Sequence, residues 1–283
     1  MKRIVLIILT LAVGLQAKEL DWQEQLREEL QSNVGNAKKE FIKAVNITPE
    51  GWDRAEKEAK PAYDAKLKGY NQAICDSGQS LSPELVERAK DLAQRVGVDA
   101  VEILPSPDLP VKSAGETLYV KEDDFRFPKN PDYLNWVLVR NLMAIKFGYP
   151  YQQSFASHIW SQYPQYIPFV PDMDEKAAAE KYMEDNNLSR CDIHKVTGPD
   201  GTPYLRLRPG PPDVLNTWMK QQQKQLDTEA TLFNLCFARA ALNVLEKHCD
   251  EPCEGKRSPI QPSPCERYAY LRQVYDRMAA EQA

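Results

Sequence analysis

Hydrolytic chemistry needs imidazoles, carboxylates, hydroxyls or thiols held within reach of one another, and few residues of this chain meet that condition. The three histidines, His158, His194 and His248, are far apart in sequence. Zinc takes four ligands at short, regular spacings, so one imidazole and one carboxylate, such as His158 with Glu175, make too small a set. Ser154 and Ser157 lie near His158, but no G-x-S-x-G elbow frames a nucleophile there. The 12 glycines are scattered at turns and form no phosphate-binding loop.

Six cysteines offer more: Cys75, Cys191, Cys236, Cys249, Cys253 and Cys265. As a zinc site, His248 with Cys249, Cys253 and Cys265 lacks paired C-x-x-C knuckles. As disulfide formers, Cys249, Cys253 and Cys265 stand in one short segment rich in Pro and Gly, "HCDEPCEGKRSPIQPSPC", where little backbone order opposes closure. At least one bridge between two of these three is expected, while the full pairing stays open.

The strongest candidate for a catalytic helix is "LNWVLVRNLMAIKFGYP", Leu134 to Pro150. It carries Leu134, Val137, Leu138, Leu142 and Ile145 on one side and Trp136, Val139, Met143 and Phe147 on another. A helix apolar nearly all round belongs in the interior. Yet it holds no histidine and no acid. At its centre stand Arg140, Asn141 and, one turn on, Ala144.

The elements that would position these residues follow from periodicity and capping. From Leu20 to Val45 an amphipathic helix carries Leu26, Leu30, Val34, Ala37 and Phe41 down one side. A highly charged helical stretch follows, interrupted by Pro49 and Pro61. "SLSPELVERAKDLAQRVGV" is a helix with Ser82 as cap, Pro83 at its first position and Gly97 at its end. "AVEILPSP" and "ETLYVKEDD" read as two strands joined across "DLPVKSAG". After the buried helix come a loop, "YPYQQSFASHIWSQYPQYIPFVP", and a helix opened by acids, "DMDEKAAAEKYMEDNN". A hairpin insertion near 192–212 turns at Pro-Asp-Gly. Two closing helices span Val214 to Lys247 and Cys265 to Ala280. The expected class is α+β, mainly α-helical, with a small β-sheet and a buried central helix.

The start of the chain reads differently. "MKRIVLIILTLAVGLQA" joins Lys2 and Arg3 to about ten apolar residues and a small residue, Ala17, which is the pattern of a secretory signal cleaved near Ala17. It is shorter than the roughly 20 apolar residues a membrane span needs, and no later segment is apolar enough to cross. A secreted or periplasmic location is expected. Without Lys2 and Arg3 the chain has 34 basic against 41 acidic residues, net −7. No run of Lys and Arg offers a phosphate-binding stripe, so nucleic acid is excluded as a partner.

The order helix, two strands, buried helix, loop, acidic helix and closing helix resembles zinc metallopeptidases of the heat-shock and CAAX-protease type, from about Ser82 to Ala280. The resemblance divides the chain into a signal at 1–17, a charged helical region at 18–78 and a metallopeptidase-like domain at 79–283, with a zincin-like fold. It makes Glu116, Thr117, Leu118, Tyr119 and Val120 the strand that edges a peptide-binding cleft. "WVLVRNLMAIKFG" stands where the family reads V-L-A-H-E-x-x-H-I. Arg140 falls at the first His, Asn141 at the catalytic Glu and Ala144 at the second His. Glu175 keeps the third-ligand position, and "QPSPCERYAYLRQ" resembles the family's closing segment, with Gln261 for its His and Arg267 retained. Arg and Ala cannot ligate zinc, and Asn cannot take a proton from water. The resemblance thus implies a peptidase-like protein that is catalytically inactive, has no cofactor, and binds a peptide or protein partner. It also implies that the Arg140 guanidinium replaces the metal and pairs with Glu175. The alternatives are a zinc-dependent peptidase with a displaced metal site, or a secreted α-helical interaction protein unrelated to peptidases.

Overall fold

A computed structural model describes residues 2–45, 47–106, 111–126, 130–161, 165–168, 174–185, 191–197, 201–209, 213–249 and 262–282. The chain runs α1 (Lys2–Ala44), α2 (Pro49–Asp76), α3 (Pro83–Val96), β1 (Glu102–Pro105), β2 (Val111–Ala114), β3 (Thr117–Val120), α4 (Glu122–Arg126), α5 (Pro131–Lys146), α6 (Tyr149–Ser161), β4 (Gln165–Pro168), α7 (Glu175–Asp185), β5 (Cys191–Thr197), β6 (Pro203–Pro209), α8 (Asp213–Phe233), α9 (Leu235–Cys249) and α10 (Pro264–Gln282). The architecture is mainly helical, and the described strands form two three-stranded sheets. Among the described residues no helix is long and apolar enough to cross a membrane.

Local chemistry sets most helix limits. In α3, Pro83 takes the first turn and Gly97 ends the helix at a left-handed φ of 81°. Thr48 caps α2 by accepting from the Gly51 amide at 3.1 Å, and Asn130 caps α5 by accepting from Tyr133 at 3.1 Å. Asp174 does the same for α7 through the Lys176 and Ala177 amides. Pro61, expected to interrupt the second helix, lies inside α2 without breaking it. It is exposed, so water can satisfy the carbonyl that its missing N–H leaves open. The stretch Val214 to Lys247, expected as one helix, is two. Asn234 ends α8 and caps α9, accepting from the Cys236 and Phe237 amides at 2.9 and 3.1 Å. The segment expected as a loop after α5 folds instead as α6 and β4, because Gly148 at φ 69° lets the chain turn and restart a helix.

The first sheet departs from the two-strand expectation. Its order is β1-β3-β2, with β1 parallel and β2 antiparallel to β3. Val111–Ala114, expected as part of the connection, forms a hairpin with β3 across Gly115 and Glu116. Thr117, Leu118, Tyr119 and Val120 therefore form the central strand, not an edge, and Glu116 sits in the turn before them. All four strand residues are buried, as a strand covered on both faces must be. Among the described residues the sheet edges are β1, which ends on Pro105 and so lacks a donor there, and β2, which exposes Lys112. Both residue types discourage strand addition.

α5 packs against α3, α8, α9 and this sheet, with Trp136, Leu138, Val139, Leu142, Met143, Ala144 and Ile145 buried. It is the interior helix its sequence predicts. The N-terminal helices join the same core instead of forming a region apart. Phe41 and Trp52, both fully buried, meet Trp218 of α8 at ring-centroid distances of 5.7 and 6.2 Å. The expected hairpin is present as β5 and β6, extended by β4 into the second sheet, with α7 lying against β5 and β6.

The β2–β3 turn lies close against α2. Gly115 has φ 53°, and a Cβ there would come within 2.5 Å of Leu67 Cδ2. Gly115→Ala is expected to lower stability by about 1–3 kcal/mol, from backbone strain together with overpacking. Urea unfolding checks this, and an unchanged midpoint would contradict the close approach.

Candidate functional site

The four positions implied as former metal and catalytic sites do not meet around one point. Arg140 and Asn141 are neighbours on α5 and so project about 100° apart on the helix. Asn141 turns to the sheet: it accepts from the Ser113 hydroxyl at 3.1 Å and donates to the Val137 carbonyl at 2.9 Å. Ala144 is buried in the core. Glu175, at the start of α7, pairs with Lys195 of β5. Arg140 turns the other way, to α8. The expected Arg140–Glu175 pair is not formed, because each charge has a nearer partner on a different element.

That partner of Arg140 is Asp227, whose side chain is 0% exposed. Arg140 Nε donates to Asp227 Oδ1 at 2.5 Å, and its Nη2 donates to Gln223. From α10, Arg267 Nε donates to Oδ2 at 2.7 Å and its Nη2 to Oδ1 at 3.0 Å. The Tyr270 hydroxyl donates to Oδ2 at 2.5 Å. Each carboxylate oxygen thus accepts two hydrogen bonds, which fills the four acceptor positions a carboxylate offers. Arg267 also lies over the Trp136 ring at 5.6 Å. Resemblance had singled out Arg140 and Arg267 separately, and the structure brings the two together on an acid that it did not name.

Burial alone would raise the pKa of Asp227, but the charges of Arg140 and then Arg267 outweigh it and hold the carboxyl below its ordinary value. Burial, followed by the neighbouring carboxylate, pushes the Tyr270 hydroxyl well above its ordinary value. At neutral pH the cluster is therefore an ionised acid, two guanidinium ions and a protonated phenol. It has neither a free base nor an open coordination position.

The rest of α8 extends the same principle. Gln222, Gln225, Asp227, Thr228, Glu229 and Thr231 are all buried. Gln222 accepts from Gln153 of α6 at 2.8 Å and donates to Gln152 at 3.2 Å. Gln225 accepts from Tyr149, whose hydroxyl pKa burial raises. Glu229 accepts from Arg27 of α1 at 3.0 Å. Sequence reasoning missed these residues, since "KQQQKQLDTEAT" reads as a solvated face. The one available signal was Arg140, a charge in an apolar helix that required an acid somewhere.

The remaining candidates are dispersed. His158 lies on α6 and His248 on α9, both exposed, and His194 belongs to β5. Among the described residues no group of three or more His, Cys, Asp or Glu is placed to hold a metal ion. A cleft of about 690 Å³ opens between α2 and the starts of β1 and β3. At its floor Asn71 donates to Glu102 at 2.5 Å and to Thr117 at 2.9 Å, and accepts from Tyr119 at 2.5 Å. Burial pushes the Tyr119 hydroxyl up to about 12. Cys249 and Cys265 form a disulfide, which realises the bridge expected in that segment, while Cys253 and Gln261 lie outside the described residues. Cys75 and Cys236 are free thiols.

Removing the acid leaves two half-buried guanidinium ions and the buried Tyr270 hydroxyl without their acceptor, so Asp227→Ala is expected to cost about 3–5 kcal/mol. Replacing Arg140, Asp227 and Arg267 together by apolar residues should cost less than Asp227→Ala alone, a comparison urea unfolding can make. A depressed carboxyl pKa contributes stability above the unfolded value and loses it as pH falls through the folded one. The stability gap between the native chain and Asp227→Asn should therefore be full at neutral pH and narrow below about pH 4. A gap that stays constant down to about pH 2 would contradict the ionised cluster.

Comparison with protein-family models, with curated proteins and with solved structures finds no match to this chain.

Proposed function

We propose that this chain is an exported, non-catalytic protein that binds a peptide or protein partner. The observation that carries this reading is the saturated Asp227 carboxylate. This buried carboxylate is closed by four protein N–H and O–H donors, so it cannot act as a base, a nucleophile or a metal ligand while the fold is intact. An inactive relative of the zinc metallopeptidases is the form of this reading that the element order supports. The separation of Arg140 from Glu175 and the central position of β3 count against it, and leave a helical interaction protein as the simpler version.

Strand addition at β3 is excluded by its two neighbours, which moves partner binding to the helices. α2 is the best-suited surface: of its 28 residues only Trp52 and Asn71 are buried. Tyr70, on the same helix, is 50% exposed. Tyrosine on an otherwise charged face is a frequent anchor of protein interfaces. Export is supported by the basic start, apolar run and small residue at Lys2 to Ala17.

Purified mature protein is expected to cleave unfolded casein no faster than background, with or without added zinc. Chelator-sensitive cleavage that copurifies through two columns would overturn the non-catalytic reading. N-terminal sequencing of the exported protein should begin at Lys18, and an intact Met1 would overturn the export reading.

A further inference from the structure

The first turns of α10 combine three attachments. Cys265 is bonded to Cys249 at the end of α9, and the two Cα atoms are 4.7 Å apart. Two positions on, Arg267 closes both oxygens of Asp227, and Tyr270 completes the closure. Beyond them α10 buries only Leu271, Val274 and Met278 over its 19 residues. Its side-chain bonds to α9, Arg239 with Tyr275 and Tyr268 with Glu246, are exposed and add little. The later turns are held by apolar packing, whereas the covalent bond and the buried charge pair both lie at the start of the helix.

We propose that the Cys249–Cys265 disulfide is a redox latch that governs whether α10 closes over Asp227. With the bond made, Arg267 and Tyr270 cannot move far from the carboxylate. With the bond broken, the only covalent tie from the start of α10 to α9 is the intervening chain, 16 positions in sequence. Its effective concentration at the docking site then falls. The step balances with a dithiol as reductant: its two thiols close to a disulfide, the Cys249–Cys265 bond breaks, and both cysteines take up a proton. Opening withdraws one guanidinium and the phenol from Asp227, leaving Arg140 as its remaining charge partner. It also uncovers the faces of α8 and α9 on which α10 lies. The helix is closed in an oxidising compartment and loosened in a reducing one.

Hydrogen exchange on the full chain tests this in three states: oxidised, reduced with dithiothreitol, and reoxidised with oxidised glutathione. Reduction is expected to speed exchange of the α10 amides by about tenfold or more, below a ceiling of about 100-fold set by loop-closure entropy. The amides of α5 and α8 should change less than about twofold, well below what loop-closure entropy gives α10. Reoxidation should restore protection, and the Cys249→Ser/Cys265→Ser variant should match the reduced state without reductant. Unchanged α10 exchange would overturn the latch. So would equal acceleration in every helix, which would make the bond a global staple. Neither result depends on whether the protein binds a peptide.

Discussion

A carboxylate with no exposure to water has to be neutralised by something, and Asp227 sets that requirement at the centre of this fold. Its four hydrogen bonds come from α5 and α10, where Arg140 and Arg267 stand 87 and 40 positions from it in the chain. Neither guanidinium can be removed without leaving charge uncompensated, and no apolar contact can substitute for one alone. The position of α5 beneath the sheet, and of α10 across α8 and α9, follows from this pairing as much as from hydrophobic burial. Burial alone is non-directional. It would let two apolar helices slide by a turn, whereas a bidentate guanidinium–carboxylate pair would not.

The same logic runs along α8. Three neighbours meet it through hydrogen bonds of their own: Arg27 from α1, Gln152, Gln153 and Tyr149 from α6, Arg140 from α5. The apolar cluster around Phe41, Trp52, Leu142 and Trp218 supplies the bulk of the driving force, and the polar row supplies register. A site saturated in this way has the residue types of an active centre and none of its openness.

Much of the architecture was legible where local chemistry decides. Ser82, Pro83 and Gly97 bound α3, and the all-round apolar pattern of α5 marked it as interior. The Pro-Asp-Gly stretch marked the β5–β6 hairpin. What failed was decided by long-range pairing. Val111–Ala114 is short and partly polar, so nothing in its own residues shows that it will pair with Thr117–Val120. Asn234 sits between apolar residues, where a helix break leaves no mark on the periodicity. Arg140 announces a buried acid, but the resemblance points to Glu175, whereas the fold supplies Asp227. Asp227 stands in a run of Gln, Lys, Thr and Glu that reads as solvated, and only the fold reveals that the run is enclosed.

The bond between Arg27 and Glu229 joins residues 202 positions apart. Its consequence lies in the timing of synthesis. A chain made from its N-terminus has α1, α3 and α5 in hand long before α8 leaves the ribosome. Until then Phe41, Trp52 and Leu142 lack the surface that covers them, and Arg27 and Arg140 lack their acids. Contacts at this separation are slow to form and leave apolar surface open meanwhile. Such a nascent chain remains threadable, and within reach of chaperones, until its final third is complete.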